Sequence, residues 1–397
     1  MTGADRWLLP EGIEEILPPA THRLERLRRD LLDLYLSWGY ELVIPPLIEF
    51  LDSLLTGTGN DLELHTFKLT DQLSGRMMGI RADMTPQVAR IDAHQLKREL
   101  PTRLCYMGTV LHTRGDGFGG SRSPLQVGAE LYGHAGYESD LEVVSLLLET
   151  LAVAGVSEVH LDLGHVAIFR RLVQQADLQQ EQEETLFEAL QRKALPEIRE
   201  QLQVYAVAEP LRSMFLALAE LNGGQEVLGM AEQRLDVSDS EIRQALQTLS
   251  QLSAAIRQRA PELSLIFDLA ELRGYRYHTG VVFAAYVPGY GQEVARGGRY
   301  DNIGQVFGRA RPATGFSVDL RTLLRLGAAA DDSLRPAIYA PPCSTDPVLE
   351  MRVSELRRRG ERVIRALPGA DPGPCAFGCD RLLVRQNGGW AVVPVVA

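Results

Sequence analysis

Three sets of residues in this chain carry functional groups at spacings suited to ligand chemistry. The first is a glycine cluster, Gly115, Gly117, Gly119 and Gly120, bounded by Arg114 and Arg122. Glycine lets a backbone approach a phosphate, and arginine matches its charge and the geometry of its oxygens. The same cluster also reads as a plain surface loop, which is the commoner meaning of clustered glycine. The second set is Asp83, Thr85 and Pro86. Thr85 is a good N-cap and Pro86 a good first-turn residue, so capping accounts for both. Capping does not account for Asp83, whose carboxylate is placed to meet a ligand amine. The third set is LRGYRYHTGVVF at 272–283, followed by GGRYD at 297–301 and GFSVDL at 315–320. Glycine beside arginine and aspartate in a sheet suggests close approach of a ligand, although Gly297-Gly298 reads equally as a hairpin turn.

These residues need elements to hold them. The glycine cluster joins two β-prone runs, 105–111 and 125–132, which predicts a hairpin with a long loop. Leu24, Leu27, Leu31, Leu34 and Trp38 recur at helical spacing, so a helix is expected over 21–38, stopped by Gly39. A short strand follows at 40–44, closed by Pro45 and Pro46. Strands are expected at 66–70 and 77–81, then a helix from Thr85 to about residue 97. A further helix spans 137–154, and a strand 159–163. From about 173 to 258 the composition turns to Leu, Glu, Gln and Arg without a strand pattern, which reads as a helical segment. Strand character resumes at 263–268. A polar linker at 328–333 precedes a small C-terminal piece, with a strand at 337–340, a helix at 347–359 and strands at 381–385 and 390–396.

Composition narrows the classes. The chain has 397 residues, 45% hydrophobic and 23% charged, an ordinary mix for two or three globular domains. No apolar run approaches the roughly 18 residues that a membrane span needs. The N-terminus lacks the basic-then-apolar layout of a signal peptide. The cysteines, Cys105, Cys343, Cys375 and Cys379, are too few for a disulfide framework, and Cys375 with Cys379 lacks a second ligand pair for zinc. A cytoplasmic protein without metal or cofactor is expected. A net charge of −11 argues against nucleic acid as the main partner.

From about Pro10 to Leu326 these motifs together resemble histidyl-tRNA synthetase. GYELVIPP at 39–46 is similar to the dimer-forming first motif of class II synthetases, and the hairpin at 103–133 to the second. LRGYRYHTG at 272–280 is similar to a signature of the histidine-specific enzymes, and the runs at 297–301 and 312–317 to the approach to the third motif. The resemblance implies an α+β fold: a class II synthetase-like antiparallel sheet flanked by helices. It implies a core of 1–172 and 259–327, a helical insertion at 173–258 and a small α/β domain at 334–397.

The departures from the family decide the expected function. In the second motif, His112 stands where the family has the arginine that clamps the ATP α-phosphate. Arg114 stands where it has a glutamate. In the third, Thr322 takes the place of an arginine that lies on the nucleotide, and Asp319 replaces a glycine. Histidine lacks the guanidinium fork, and phosphoryl chemistry depends on such charge stabilisation. Both nucleotide clamps therefore read as dismantled. The family's histidine-contacting positions map to Asp83, Thr85, Gln126, Glu130, Arg273 and Tyr277, with Asp83 in place of a glutamate. His278 replaces a tyrosine, and Arg276 an aspartate. The 64 residues after Ser333 are too short for the family's anticodon-binding domain, so no tRNA is expected.

Synthetase relatives without synthetase activity form the regulatory-subunit family of ATP phosphoribosyltransferase. Resemblance to them implies a non-catalytic chain that activates a short-form catalytic subunit at the first step of histidine biosynthesis. It implies a homodimer through the first motif and histidine as feedback effector. An active synthetase-like ligase and a stand-alone histidine sensor are the alternatives that these residues leave open.

Overall fold

The computed structural model describes residues 7–56, 60–115, 121–271, 274–275, 277–327, 336–342, 346–369 and 373–395. The chain divides into two compact units. One is Met1–Glu15 with Leu24–Ala328, and the other is Ile16–Arg23 with Ala329–Ala397.

The larger unit is built on a nine-stranded sheet. Its middle six strands run antiparallel in the order Thr102–Thr109, Leu125–Tyr132, Ala313–Asp319, Ala295–Arg299, Val281–Tyr286 and His160–His165. Parallel pairings flank them. Glu41–Leu42 joins beside Thr102–Thr109, and Ser264–Asp268 beside His160–His165. The fold is α+β as expected, with a sheet that is mixed at its margins.

Alternation within Leu125–Tyr132 explains why the sheet has two unlike faces. Val127, Ala129 and Leu131 point to one side, where they join Leu27, Leu31 and Tyr35 of the helix Ala20–Ser37 and Leu141, Val144, Leu147 and Leu151 of the helix Tyr137–Val153. Gln126, Gly128, Glu130 and Tyr132 point to the other side, which carries the polar site. The first helix ends as its sequence predicts. Gly39 adopts φ +80° and donates to Leu36 O at 2.9 Å, while Tyr40 N reaches back to Tyr35 O at 3.0 Å. That pair of bonds is a Schellman closure.

The segment after His165 is helical, with Val166–Gln175, Gln180–Gln191, Leu195–Val204, Leu211–Glu220, Glu226–Arg234 and Ser240–Arg259. Asp239 caps the last of these by accepting from Glu241 N and Ile242 N, at 2.9 and 3.2 Å. The core of these helices, including Leu186, Leu190, Leu202 and Phe215, is continuous with that of the sheet. One two-residue strand, Asn222–Gly223, departs from the all-helical reading and pairs with Ser264–Asp268. It is held by backbone pairing with a distant strand, which no local pattern signals.

A separate three-stranded sheet of Ile48–Phe50, Met77–Ile80 and Phe67–Thr70 sits before the site. In the smaller unit, Val363–Arg365, Ala337–Ala340, Cys379–Gln386 and Gly389–Pro394 form a four-stranded sheet in that order. The helix Pro347–Arg358 covers it through Leu349, Val353 and Leu356. Asp346 caps that helix at Val348 N, and its other oxygen accepts from Trp390 Nε1 at 2.9 Å.

Candidate functional site

Glu130 is the centre of the polar face. It is 1% exposed. Its Oε1 accepts from the Tyr106 hydroxyl at 2.9 Å, and its Oε2 accepts from the Tyr300 hydroxyl. Tyr300 in turn lies 3.4 Å from the Tyr132 hydroxyl. Burial pushes the Glu130 carboxyl up from 4.5 to about 8. The two phenols pull it back down, and the charge on Asp83 adds to the rise.

Two glycines make room for this group. Gly315 is the sheet partner of Glu130, and a Cβ there would stand 1.5 Å from Glu130 Oε2. Gly128 is the partner of Tyr106, and a Cβ there would stand 2.3 Å from the Tyr106 hydroxyl. Both spacings lie far inside van der Waals contact, so the site depends on bare backbone at these two positions.

Asp83 enters from the segment ahead of the helix Thr85–Arg90. Its Oδ1 accepts from Gln126 Nε2 at 2.7 Å and from Thr85 N at 3.0 Å. Gln126 Oε1 accepts from Met84 N at 2.8 Å, which locks the amide in one orientation. The expected N-cap role of Thr85 is not what the structure shows. Asp83 supplies the bond at the helix start, and the helix boundary falls at Met84. The Thr85 hydroxyl lies 2.9 Å from the Tyr106 hydroxyl, a tertiary contact that draws it off the backbone. The helix also ends early, at Arg90, and passes into a π-helical turn over Ile91–Leu96.

Tyr277 closes the other side. Its ring stacks on Tyr300 with centroids 5.0 Å apart, and its hydroxyl is buried with no hydrogen-bond partner among the described residues. Tyr275, two residues earlier, packs on Phe187 at 4.4 Å and Phe169 at 5.7 Å, which anchors this loop to the helical segment. His278 Nδ1 donates to Arg299 O at 3.3 Å, so Nδ1 carries the proton. Burial pushes that imidazole down to about 4. Five of the six expected positions, Asp83, Thr85, Gln126, Glu130 and Tyr277, therefore meet through one network of hydroxyls, amide and ring contacts. Arg273, the sixth, lies outside the described residues, as do Arg276, Gly117, Gly119 and Gly120.

The nucleotide side is differently arranged. His112 Nε2 lies 2.9 Å from Ala82 O, so it donates there, and His112 Nδ1 is buried without a partner among the described residues. Arg122 spends Nε on His112 O and Nη1 on Glu11 O, each at 3.1 Å. Arg114 is exposed. Thr322 is buried, and its hydroxyl donates to Asp319 Oδ2 at 3.0 Å. Asp319 caps the helix Leu320–Leu326 and also accepts from Leu125 N at 2.9 Å. The aspartate that the sequence reads as a phosphate-repelling charge is thus a bonded cap. Arg321 is turned to Glu14 O at 3.5 Å. No fork of free guanidinium donors faces one point among these described residues.

Three members of the network were not singled out from sequence. Tyr106 and Tyr132 sit in strand runs that read simply as apolar. Tyr300 follows Gly297-Gly298, which the structure places inside the strand Ala295–Arg299 rather than in a turn. A Cβ on Gly297 would stand 2.2 Å from Gly315 O and 2.5 Å from the Phe283 ring, so close sheet packing explains that glycine.

The chain was compared with known proteins. A histidyl-tRNA synthetase family model matches residues 12–323, and a model of the ATP phosphoribosyltransferase subunit HisZ C-terminal domain matches 335–393. The ATP phosphoribosyltransferase regulatory subunit of Thioalkalivibrio sulfidiphilus is 60% identical over 98% of both chains. That of Alkalilimnicola ehrlichii is 57% identical, again over 98% of both. Among solved structures, an ATP phosphoribosyltransferase regulatory subunit/histidyl-tRNA synthetase from Bacillus halodurans superposes with TM-score 0.81 at 25% identity, covering 94% of this chain and 95% of that one. Histidyl-tRNA synthetase from Nostoc sp. PCC 7120 gives TM-score 0.76 at 16% identity, over 98% and 97%, a likeness of fold. On this synthetase-like fold, the chain belongs to the family of ATP phosphoribosyltransferase regulatory subunits, as a regulatory and not a catalytic component.

Proposed function

We propose that this regulatory subunit binds free histidine in the Glu130 pocket and conveys feedback inhibition to a short-form ATP phosphoribosyltransferase catalytic subunit, which it also activates in a hetero-oligomer. The carrying observation is the asymmetry of the site. The amino-acid side keeps Asp83, Gln126 and the buried Glu130 in a bonded arrangement, and the Tyr277 hydroxyl has no partner among the described residues. The nucleotide side has no free fork for a phosphate among the described residues. Two carboxyl groups answer an ammonium or imidazolium, and Arg273, included by the resemblance, would answer the carboxylate. Feedback follows if histidine prefers the less active assembly, since allostery is a coupling energy between two sites.

The chain assembles with itself through the first motif in this reading. Support comes from apolar side chains exposed at the sheet margin: Leu42, Leu47 and Ile44, the last 80% exposed. The working compartment is the cytoplasm; among the described residues no helix is long and apolar enough to cross a membrane. No tRNA partner is proposed.

The test is the activity of the short catalytic subunit alone, with this chain, and with added histidine. Stimulation by the chain and its reversal by histidine are expected. Arg273→Ala should weaken inhibition without preventing assembly. Inhibition that survives both Arg273→Ala and Glu130→Gln would place the effector site elsewhere.

A further inference from the structure

We propose that Glu130 is a carboxylic acid in the empty pocket and hands its proton to the imidazole ring when histidine enters, so that the effector is held as an imidazolium. The inference rests on the histidine reading of the pocket and adds the charge state in which the ligand is bound.

The groups that face Glu130 come from every element around it. Tyr106 lies on the neighbouring strand, Tyr132 two residues on along its own strand, and Tyr300 just past the strand Ala295–Arg299. Tyr277 stacks on Tyr300 from the signature loop. Thr85 reaches it through Tyr106, and Asp83 stands beside them, held by Gln126. Gly315, on the strand to its other side, contributes no side chain. Among the described residues this set holds two carboxyl groups and no cation. Glu130 is buried with the Asp83 charge beside it, and a carboxyl in such surroundings favours its protonated form.

The hydroxyl network serves both states. An ionised Glu130 accepts from Tyr106 at Oε1 and from Tyr300 at Oε2. A Glu130 protonated at Oε2 donates to Tyr300, whose own proton then turns toward the Tyr132 hydroxyl 3.4 Å away. Tyr106 donates to Oε1 throughout. No partner is lost in either state, so the proton can leave without breaking the site.

A ligand that brings a cation removes the reason for the proton. Imidazole is the one group of histidine whose charge changes near neutral pH. The step breaks the O–H bond of Glu130 and forms an N–H bond at the unprotonated ring nitrogen. It leaves a carboxylate facing an imidazolium, with Asp83 adding a second negative charge nearby.

The test uses ring-15N histidine bound to the full chain at pH 8, where free imidazole, with a pKa of ~6.5, is neutral. Imidazolium nitrogen shifts in the bound spectrum are expected. Neutral-tautomer shifts in a saturated complex would overturn the inference and leave the pocket reading standing. Absence of binding by titration calorimetry would remove the pocket reading and the inference together. Glu130→Gln, checked for folding by its melting curve, should bind at least tenfold more weakly and hold the ring neutral. If it holds an imidazolium, Glu130 is not the proton donor.

Discussion

Gly315 lies directly across the sheet from Glu130, and a Cβ at Gly315 would stand 1.5 Å from Glu130 Oε2. The carboxyl therefore occupies the space that any other residue at 315 would fill. Gly315→Ala should push Glu130 out of reach of Tyr106 and Tyr300. Overpacking of this kind costs about 1–3 kcal/mol. We expect a lowered melting temperature and loss of histidine binding by calorimetry. Binding at wild-type affinity would mean that Glu130 is not part of the pocket.

The two phenols on Glu130 can be separated from the carboxyl itself. Tyr106→Phe and Tyr300→Phe each remove one donor from a buried acceptor, at a cost of ~1–3 kcal/mol. The loss falls most heavily on the ionised form, which needs both donors. If histidine binding ionises Glu130, each variant should weaken histidine more than it lowers stability. Calorimetry and melting curves on the same samples give the comparison. Equal losses in both would assign these tyrosines to packing alone.

Stability should depend on pH through two opposed groups. The Glu130 carboxyl is raised to about 8 by burial, so the folded state holds its proton longer than the unfolded chain, whose value is near 4.5. Its contribution is full below about 4.5 and is lost as pH rises through about 8. His165 and His278 are pushed down to about 4 by burial. They contribute stability above their unfolded value of 6.5, which is lost as pH falls toward 4. Glu130→Gln should flatten the decline between pH 6 and 8 and leave the acid limb unchanged. Melting temperatures across pH 4–9 would show it, and an unaltered alkaline limb would rule out Glu130 as its source.

Much of this site was legible in sequence, and what escaped was non-local. The hairpin strands follow from two β-prone runs joined by a glycine-rich loop. Gly39 follows from its place after the last apolar residue of a helix. The expected site positions came through the resemblance to histidyl-tRNA synthetase, and five of the six lie in one network. Tyr300 was hidden because Gly297-Gly298 looks like a turn until the Gly315 backbone is brought against it. Thr85 is not the N-cap because its hydroxyl finds Tyr106, 21 residues away in the chain. In each case the deciding atom belongs to another strand, which no window around the residue contains.

The buried pair Arg299–Asp140 supports the site from beneath. Arg299 Nη2 lies 2.9 Å from Asp140 Oδ2, and the same guanidinium bonds Ser139 Oγ, Gly136 O and His134 O. Its neighbour in the chain is Tyr300, so the arginine fixes where that hydroxyl meets Glu130. Arg299→Leu would leave Asp140 buried without a counter-charge, at a cost of about 3–5 kcal/mol. We expect a large loss in urea stability. A double change, Arg299→Leu with Asp140→Leu, should recover part of it by removing the stranded carboxyl. Histidine binding should stay weak in the double variant, because the bonds that hold the turn around residue 136 against the strand are gone. Full recovery of both stability and binding would show that Arg299 serves only its own charge pair and does not position Tyr300.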